Sequence, residues 1–199
     1  MSELSFKKIL YHQAREICVD IDIDPPAMEL LKDQGATTPQ DFLMLLMSRG
    51  FLVDAIKFLA RALPKREATW WSCLCARVTV NSDTPEEVLK ALELAEQWVY
   101  QPTEDYRRRA FEAAESTGFQ HPASWSAMAA FWSGGSMGPP TAPAVPPADN
   151  LTGKAAAGAI QLAGVFSEPE QAPQKYRHFL KCGIDIACGG NGRMEWGEN

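Results

Sequence analysis

Positive charge is in short supply in this 199-residue sequence: 19 lysines and arginines face 25 acidic residues, a net charge of −6. Binding along a nucleic acid needs a basic face to neutralise phosphates, so DNA and RNA are not expected partners. Long apolar runs are also missing. The most apolar stretch, Phe42 to Leu63, is broken by Arg49, Asp54, Lys57 and Arg61, which makes it core rather than a membrane span. The opening residues, MSELSFKKILYHQAREICVD, contain no uninterrupted apolar segment, so no cleaved leader is expected. Cysteine is sparse and odd in number, at five, which without an export signal predicts free thiols in a reducing cytoplasm. Period-two alternation occurs at Val19 to Asp24 (VDIDID), too short and too isolated to build a sheet.

What is present is enough apolar residue, 46%, to bury a large core without staples, and a train of prolines that mark helix starts. Thr38-Pro39-Gln40-Asp41 and Thr84-Pro85-Glu86-Glu87 each read as an N-cap followed by proline at the first helical position. Pro64, Pro102 and Pro122 head further periodic runs. In the helix expected to end near Tyr100, Val88, Leu92, Ala95 and Val99 recur at the spacing of one buried face. After Trp132 the texture changes to SGGSMGPPTAPAVPPADN, which can form no regular element. Two helical segments follow, the first rich in alanine and glycine (Ala155 to Ala157, Gly158, Ala159, Ala163, Gly164), the second striped by Tyr176, Phe179, Leu180, Gly183, Ile184 and Ala187 and closed by Gly189. The expected architecture is all-α: an irregular bundle of short helices over 1–133, a proline-rich strap over 134–150, two C-terminal helices over 151–190 docked back on the core, and a tail over 191–199. One domain is expected.

The chemically suggestive residues each have a plain structural reading. In REATWWSCLCAR, Arg66 to Arg77, helical geometry places Glu67, Trp71, Leu74, Cys75 and Val78 on one side and turns Trp70, Cys73 and Arg77 partly away. A CxC pair on a helix points its thiols to different faces, which suits packing better than metal or redox work. His178, Cys182 and Asp185 project in parallel from one helix, whereas a catalytic triad draws its members from separate elements. Asp20, Asp22 and Asp24 match the start of a calcium loop, but Pro25 and Leu31 stand where that loop needs glycine and glutamate. Arg107 to Arg109 read as a solvated face paired at i, i+4 with Glu104, Asp105 and Glu112. GGNGR, Gly189 to Arg193, lacks the lysine of a phosphate loop and reads as cap and tail. No catalytic residue, metal site or cofactor is expected.

DAIKFLARALPKREATWWSCLCAR, MGPPTAPAVPPADNLTGKAAAGAIQLA and YRHFLKCGIDIACGG together resemble an uncharacterised family of bacterial proteins of about this size. The resemblance covers nearly the whole chain and implies a setting near type VI secretion effector and spike genes, with no activity or catalytic residue to transfer. The resulting expectation is a non-enzymatic cytoplasmic adaptor or chaperone that binds a secreted effector or spike component. The alternatives are an enzyme using Cys73, Cys75 or Cys182 as nucleophile, and an immunity protein that blocks a toxin. For the partner surface, the candidates are Phe131, Trp132 and Met137 at the entrance to the strap and Trp196 in the tail, because exposed aromatics anchor interfaces.

Overall fold

The computed structural model describes residues 5–33 and 37–195, and among these every regular element is helical. The α-helices are α1 (Ala14–Ile17), α2 (Pro25–Asp33), α3 (Pro39–Ser48), α4 (Leu52–Ala62), α5 (Lys65–Arg77), α6 (Glu86–Tyr100), α7 (Glu104–Ser116), α8 (Pro122–Phe131), α9 (Leu151–Val165) and α10 (Ala172–Ala187). Short 3-10 turns at Cys18–Asp20 and Pro169–Gln171 complete the set.

Local chemistry explains most helix starts. Thr38 caps α3, its hydroxyl accepting from the Asp41 N–H at 3.1 Å, and Thr103 caps α7 in the same way through Tyr106. The expected N-cap at Thr84 does not form. Asn81 and Thr84 bond each other across a turn, with the Asn81 N–H donating to Thr84 Oγ1 at 2.9 Å, and Pro85 becomes the residue before α6. The start therefore moves one residue on, because the threonine hydroxyl is already engaged. The α10 end is a Schellman cap: Gly190 N–H donates to Asp185 O at 2.8 Å and Gly189 N–H to Ile186 O at 2.9 Å, with Gly189 at φ +100°.

The centre of the molecule is α5, packed against α6, α8, α9 and α10. Its neighbours α8 and α9 are themselves surrounded: in α8 every residue but Trp125 is buried. Alanine and serine make that possible, since small side chains let helix backbones approach. Gly153 in α9 lies against the α4 backbone, where a Cβ would stand 3.1 Å from Ala60 O, and Gly164 lies under the Tyr176 ring. Gly158, in the same alanine- and glycine-rich segment, faces open space. The first elements cover α4, with Phe42 meeting Phe58 edge-on at 5.2 Å. The acidic stretch near them is tied to α4 as well, through Asp20 to Arg61 at 2.9 Å and the Lys57 ammonium to Asp22 O at 2.8 Å.

The strap is pinned at both ends. Arg107 of α7 is 3% exposed and donates to Phe131 O at 2.6 Å, Ser136 O at 2.9 Å and Glu104, while its guanidinium lies over the Phe131 ring. This corrects the expectation of a solvated arginine face: Arg108 and Arg109 do make the i, i+4 pairs with Glu104 and Asp105, but Arg107 shares its face with the buried Ala110, Ala113 and Ala114. At the far end Asp149 pairs with Lys65 at 2.9 Å, and the Asn150 amide donates to Asp20 O at 3.0 Å. In between, Val145 N–H donates to Ser136 Oγ and Met137 N–H to Val145 O, closing a loop whose prolines 139, 140 and 143 stand in solvent.

Candidate functional site

A groove of about 570 Å³ is walled by α5, α6, α10 and the chain after α10. Trp70 and Tyr100 meet edge-on at 5.7 Å along one wall, and Arg193 lies over the Trp70 ring and donates to the Tyr100 hydroxyl at 3.2 Å. The Trp70 indole N–H donates to Asn191 O at 2.8 Å. Arg77 and Glu96 close one edge with a two-pronged ion pair at 2.8 and 2.6 Å. Leu74 and Val78 give that edge an apolar surface, Val78 being 45% exposed.

Cys75, Cys182 and His178 also line this groove. Cys182 Sγ stands 3.7 Å from His178 Nε2, so two members of the i, i+4, i+7 set do meet. Asp185 does not join them: its carboxylate accepts the Gly192 N–H at 2.8 Å and fixes the turn after α10. Burial holds the His178 imidazole below its ordinary pKa, with Lys181 adding to the effect, and burial raises the Cys182 thiol. The pair is a neutral imidazole beside a protonated thiol, the reverse of an activated thiolate and imidazolium. Cys73 and Cys75 are raised further by complete burial, and Cys18 is pushed up to about 11 by the same cause. Full burial of Cys73 corrects its expected partial exposure, and Leu74 and Val78, expected inside, are half-buried and exposed. No group of three or more metal-ligating side chains occurs among the described residues.

The second candidate surface lies at the strap entrance. Phe131 is 2% exposed and stacks on Phe111 at 4.4 Å, so it is part of the core and offers nothing to a partner. Trp132 is half-buried, and Met137 is 37% exposed. Trp196 lies outside the described residues. Val145, which the sequence reading did not single out, is 50% exposed and sits beside Met137 through the loop-closing hydrogen bond. A lone valine among prolines carries no periodic signal, and only loop closure reveals its neighbour.

Fold and surfaces define an all-α protein with buried thiols at Cys73, Cys75 and Cys182, an aromatic-walled groove and an anchored proline-rich loop. The model of a family of unknown function, DUF6931, matches residues 42–187, and the chain belongs to that family. The match runs from within α3 to the end of α10 and includes both the groove helices and the strap. No curated protein and no solved structure matches the chain. Among the described residues, no helix is long and apolar enough to cross a membrane.

Proposed function

We propose that this protein is a non-enzymatic adaptor or chaperone that binds another protein, and, following the family resemblance, that it serves an effector or spike component of a bacterial type VI secretion system in the cytoplasm. The observation that carries the protein-binding part is the contrast between its thiols and its surface. The nucleophile candidates are protonated and packed, and Asp185 is committed to a turn, whereas Trp132, Met137 and Val145 offer apolar contact at the mouth of an anchored loop. Purified protein should co-elute at low micromolar concentration with the product of a neighbouring secretion gene, and Trp132→Ala with Met137→Ala should abolish that co-elution in a variant that stays folded, its thermal midpoint lowered by only a few degrees because the half-buried Trp132 also packs on the core. Absence of any such partner, together with turnover of a compound in a metabolite screen, would reject the adaptor reading.

A cysteine-dependent enzyme is the second reading, favoured by the 3.7 Å approach of Cys182 to His178 beside a 570 Å³ groove. It requires rapid, selective alkylation of Cys182 at neutral pH. On the adaptor reading the native thiols react slowly, and Cys182→Ala retains partner binding.

A further inference from the structure

Three loops meet around His121 at one end of the bundle. The turn before His121 carries Phe119, the His121 ring meets Phe166 edge-on at 4.5 Å just past the end of α9, and His121 Nε2 lies 3.5 Å from Thr79 Oγ1 in the loop after α5. Helices α6 and α7 pack together and are joined by the short turn 101–103, so the first turn of α6 lies at this same end, beside the last turn of α7.

Large apolar side chains stand in solvent here. Phe119 is 37% exposed, Val165 38% and Phe166 41%. Trp125, the one residue of α8 that is not buried, has its ring 6.2 Å from that of Phe119 and donates its indole N–H to Phe119 O at 3.1 Å. Phe119 is held at a cost, because its φ of +59° lies in the left-handed region that bulky side chains avoid and that asparagine or glycine adopts readily. Among the described residues it is the only non-glycine with such a φ. Packing does not account for that strain, since the ring remains well exposed, and strain of this kind gathers where a side chain is displayed for use.

Charge of one sign surrounds these aromatics. Residues 79–87, 115–121 and 165–170 contain Asp83, Glu86, Glu87, Glu115, Glu168 and Glu170, all exposed, and no lysine or arginine. Among the described residues only Glu168 of these six has an ion-pair partner, the Lys175 ammonium at 3.9 Å. Such a rim repels phosphates and anionic headgroups and attracts cations. An occupant that satisfies both centre and rim carries apolar side chains and lysines or arginines on one segment, as a basic amphipathic helix does.

We propose that this end of the bundle docks a basic amphipathic segment of a partner protein, with Phe119, Trp125 and Phe166 taking its apolar side chains and the acidic rim its cations. The surface lies at the start of α8, whereas Trp132 and the strap lie past the end of that helix, so it goes beyond the contact proposed above and does not rest on it.

The test titrates a synthetic amphipathic peptide of leucine and lysine into the 15N-labelled full chain, beside a counterpart with every lysine replaced by glutamate. The lysine peptide should bind saturably at micromolar concentration, with shifts confined to 79–87, 115–125 and 165–170, and the glutamate peptide should not bind. Phe119→Asn, which accepts the left-handed backbone, and Phe166→Ser should each stay folded and weaken binding about tenfold. Glu115→Gln with Glu170→Gln should weaken it about threefold at low salt and less at high salt. Trp132→Ala with Met137→Ala should bind the peptide as the parent does, so a failure at the strap mouth and a failure here are told apart. The proposal is overturned by a lysine peptide that does not saturate, by equal binding of the two peptides, by shifts spread over other acidic faces, or by undiminished binding in Phe119→Asn and Phe166→Ser. Self-association of the parent that Phe119→Asn abolishes would assign the surface to a second copy of this chain and overturn it equally.

Discussion

Trp70 and Trp71 are adjacent in sequence and do different work. Trp71 is fully buried, its indole N–H donates to Phe179 O at 2.8 Å, and its ring lies where a Cβ on Gly183 would stand 2.6 Å away. Replacing it with alanine leaves a ring-sized cavity between α5 and α10 and should cost about 3–5 kcal/mol, a large share of an ordinary domain's stability. Trp70 is half-buried and holds Asn191, Tyr100 and Arg193, so Trp70→Ala should cost less, about 1–2 kcal/mol. Urea unfolding of both variants checks the order, and equal losses would contradict it. The sequence made the packing role of this stretch legible, because two tryptophans and two cysteines on a helix are typical of cores. It did not show which faces are covered. A periodicity argument assumes one buried side, and α5 is enclosed by α6, α8, α9 and α10, so Cys73 is buried along with Cys75.

At the scale of elements, Pro39, Pro64, Pro85, Pro102 and Pro122 located their helix starts to within two residues, and the α6 face of Val88, Leu92, Ala95 and Val99 is buried as its spacing requires. Pro122 marked the start of α8 but not its surroundings, since its run of small residues has no polar face to orient it although it lies among α5, α6, α7 and α9. Arg107 had a signal that charge counting concealed: it stands in register with Ala110, Ala113 and Ala114. Its position makes it the clasp of the strap, since one guanidinium bonds Phe131 O and Ser136 O and packs on Gly135, where a Cβ would stand 2.8 Å from Nη2. Arg107→Ala should lower stability by about 1.5–3 kcal/mol through loss of charged hydrogen bonds. Limited proteolysis should also become faster within 136–146. Lysine should not rescue it, because an ammonium cannot span both carbonyls and Glu104 in the planar arrangement of a guanidinium. Protection of the strap in Arg107→Ala equal to that of the parent would show that Asp149 and Asn150 suffice to hold it.

The whole molecule joins parts of the chain that no sequence window contains, and its pH response follows from one such meeting. His121 caps α8, its Nδ1 accepting the Ala123 N–H at 3.1 Å, while its ring meets Phe166 edge-on at 4.5 Å and its Nε2 lies 3.5 Å from Thr79 Oγ1. A cap of this kind needs an unprotonated Nδ1. Burial lowers the His121 pKa from 6.5, and the same cause lowers that of His178. As pH falls through 6.5 the unfolded chain binds protons that the folded chain refuses, so stability falls with pH until the depressed folded values are reached. The carboxylates act in a lower window: Glu104, held at about 2 by Arg107 and Arg108, and Asp149, lowered by Lys65, contribute stability above their ordinary carboxylate pKa that is lost only in stronger acid. The thermal midpoint should therefore decline already between about pH 7.5 and pH 5.5, where histidine titrates and carboxylates do not. His121→Asn keeps a cap acceptor without a titrating ring, so its midpoint should decline less over that interval. A parent protein whose midpoint is flat across the interval, or an asparagine variant that declines as steeply, would place the acid sensitivity elsewhere than in the α8 cap.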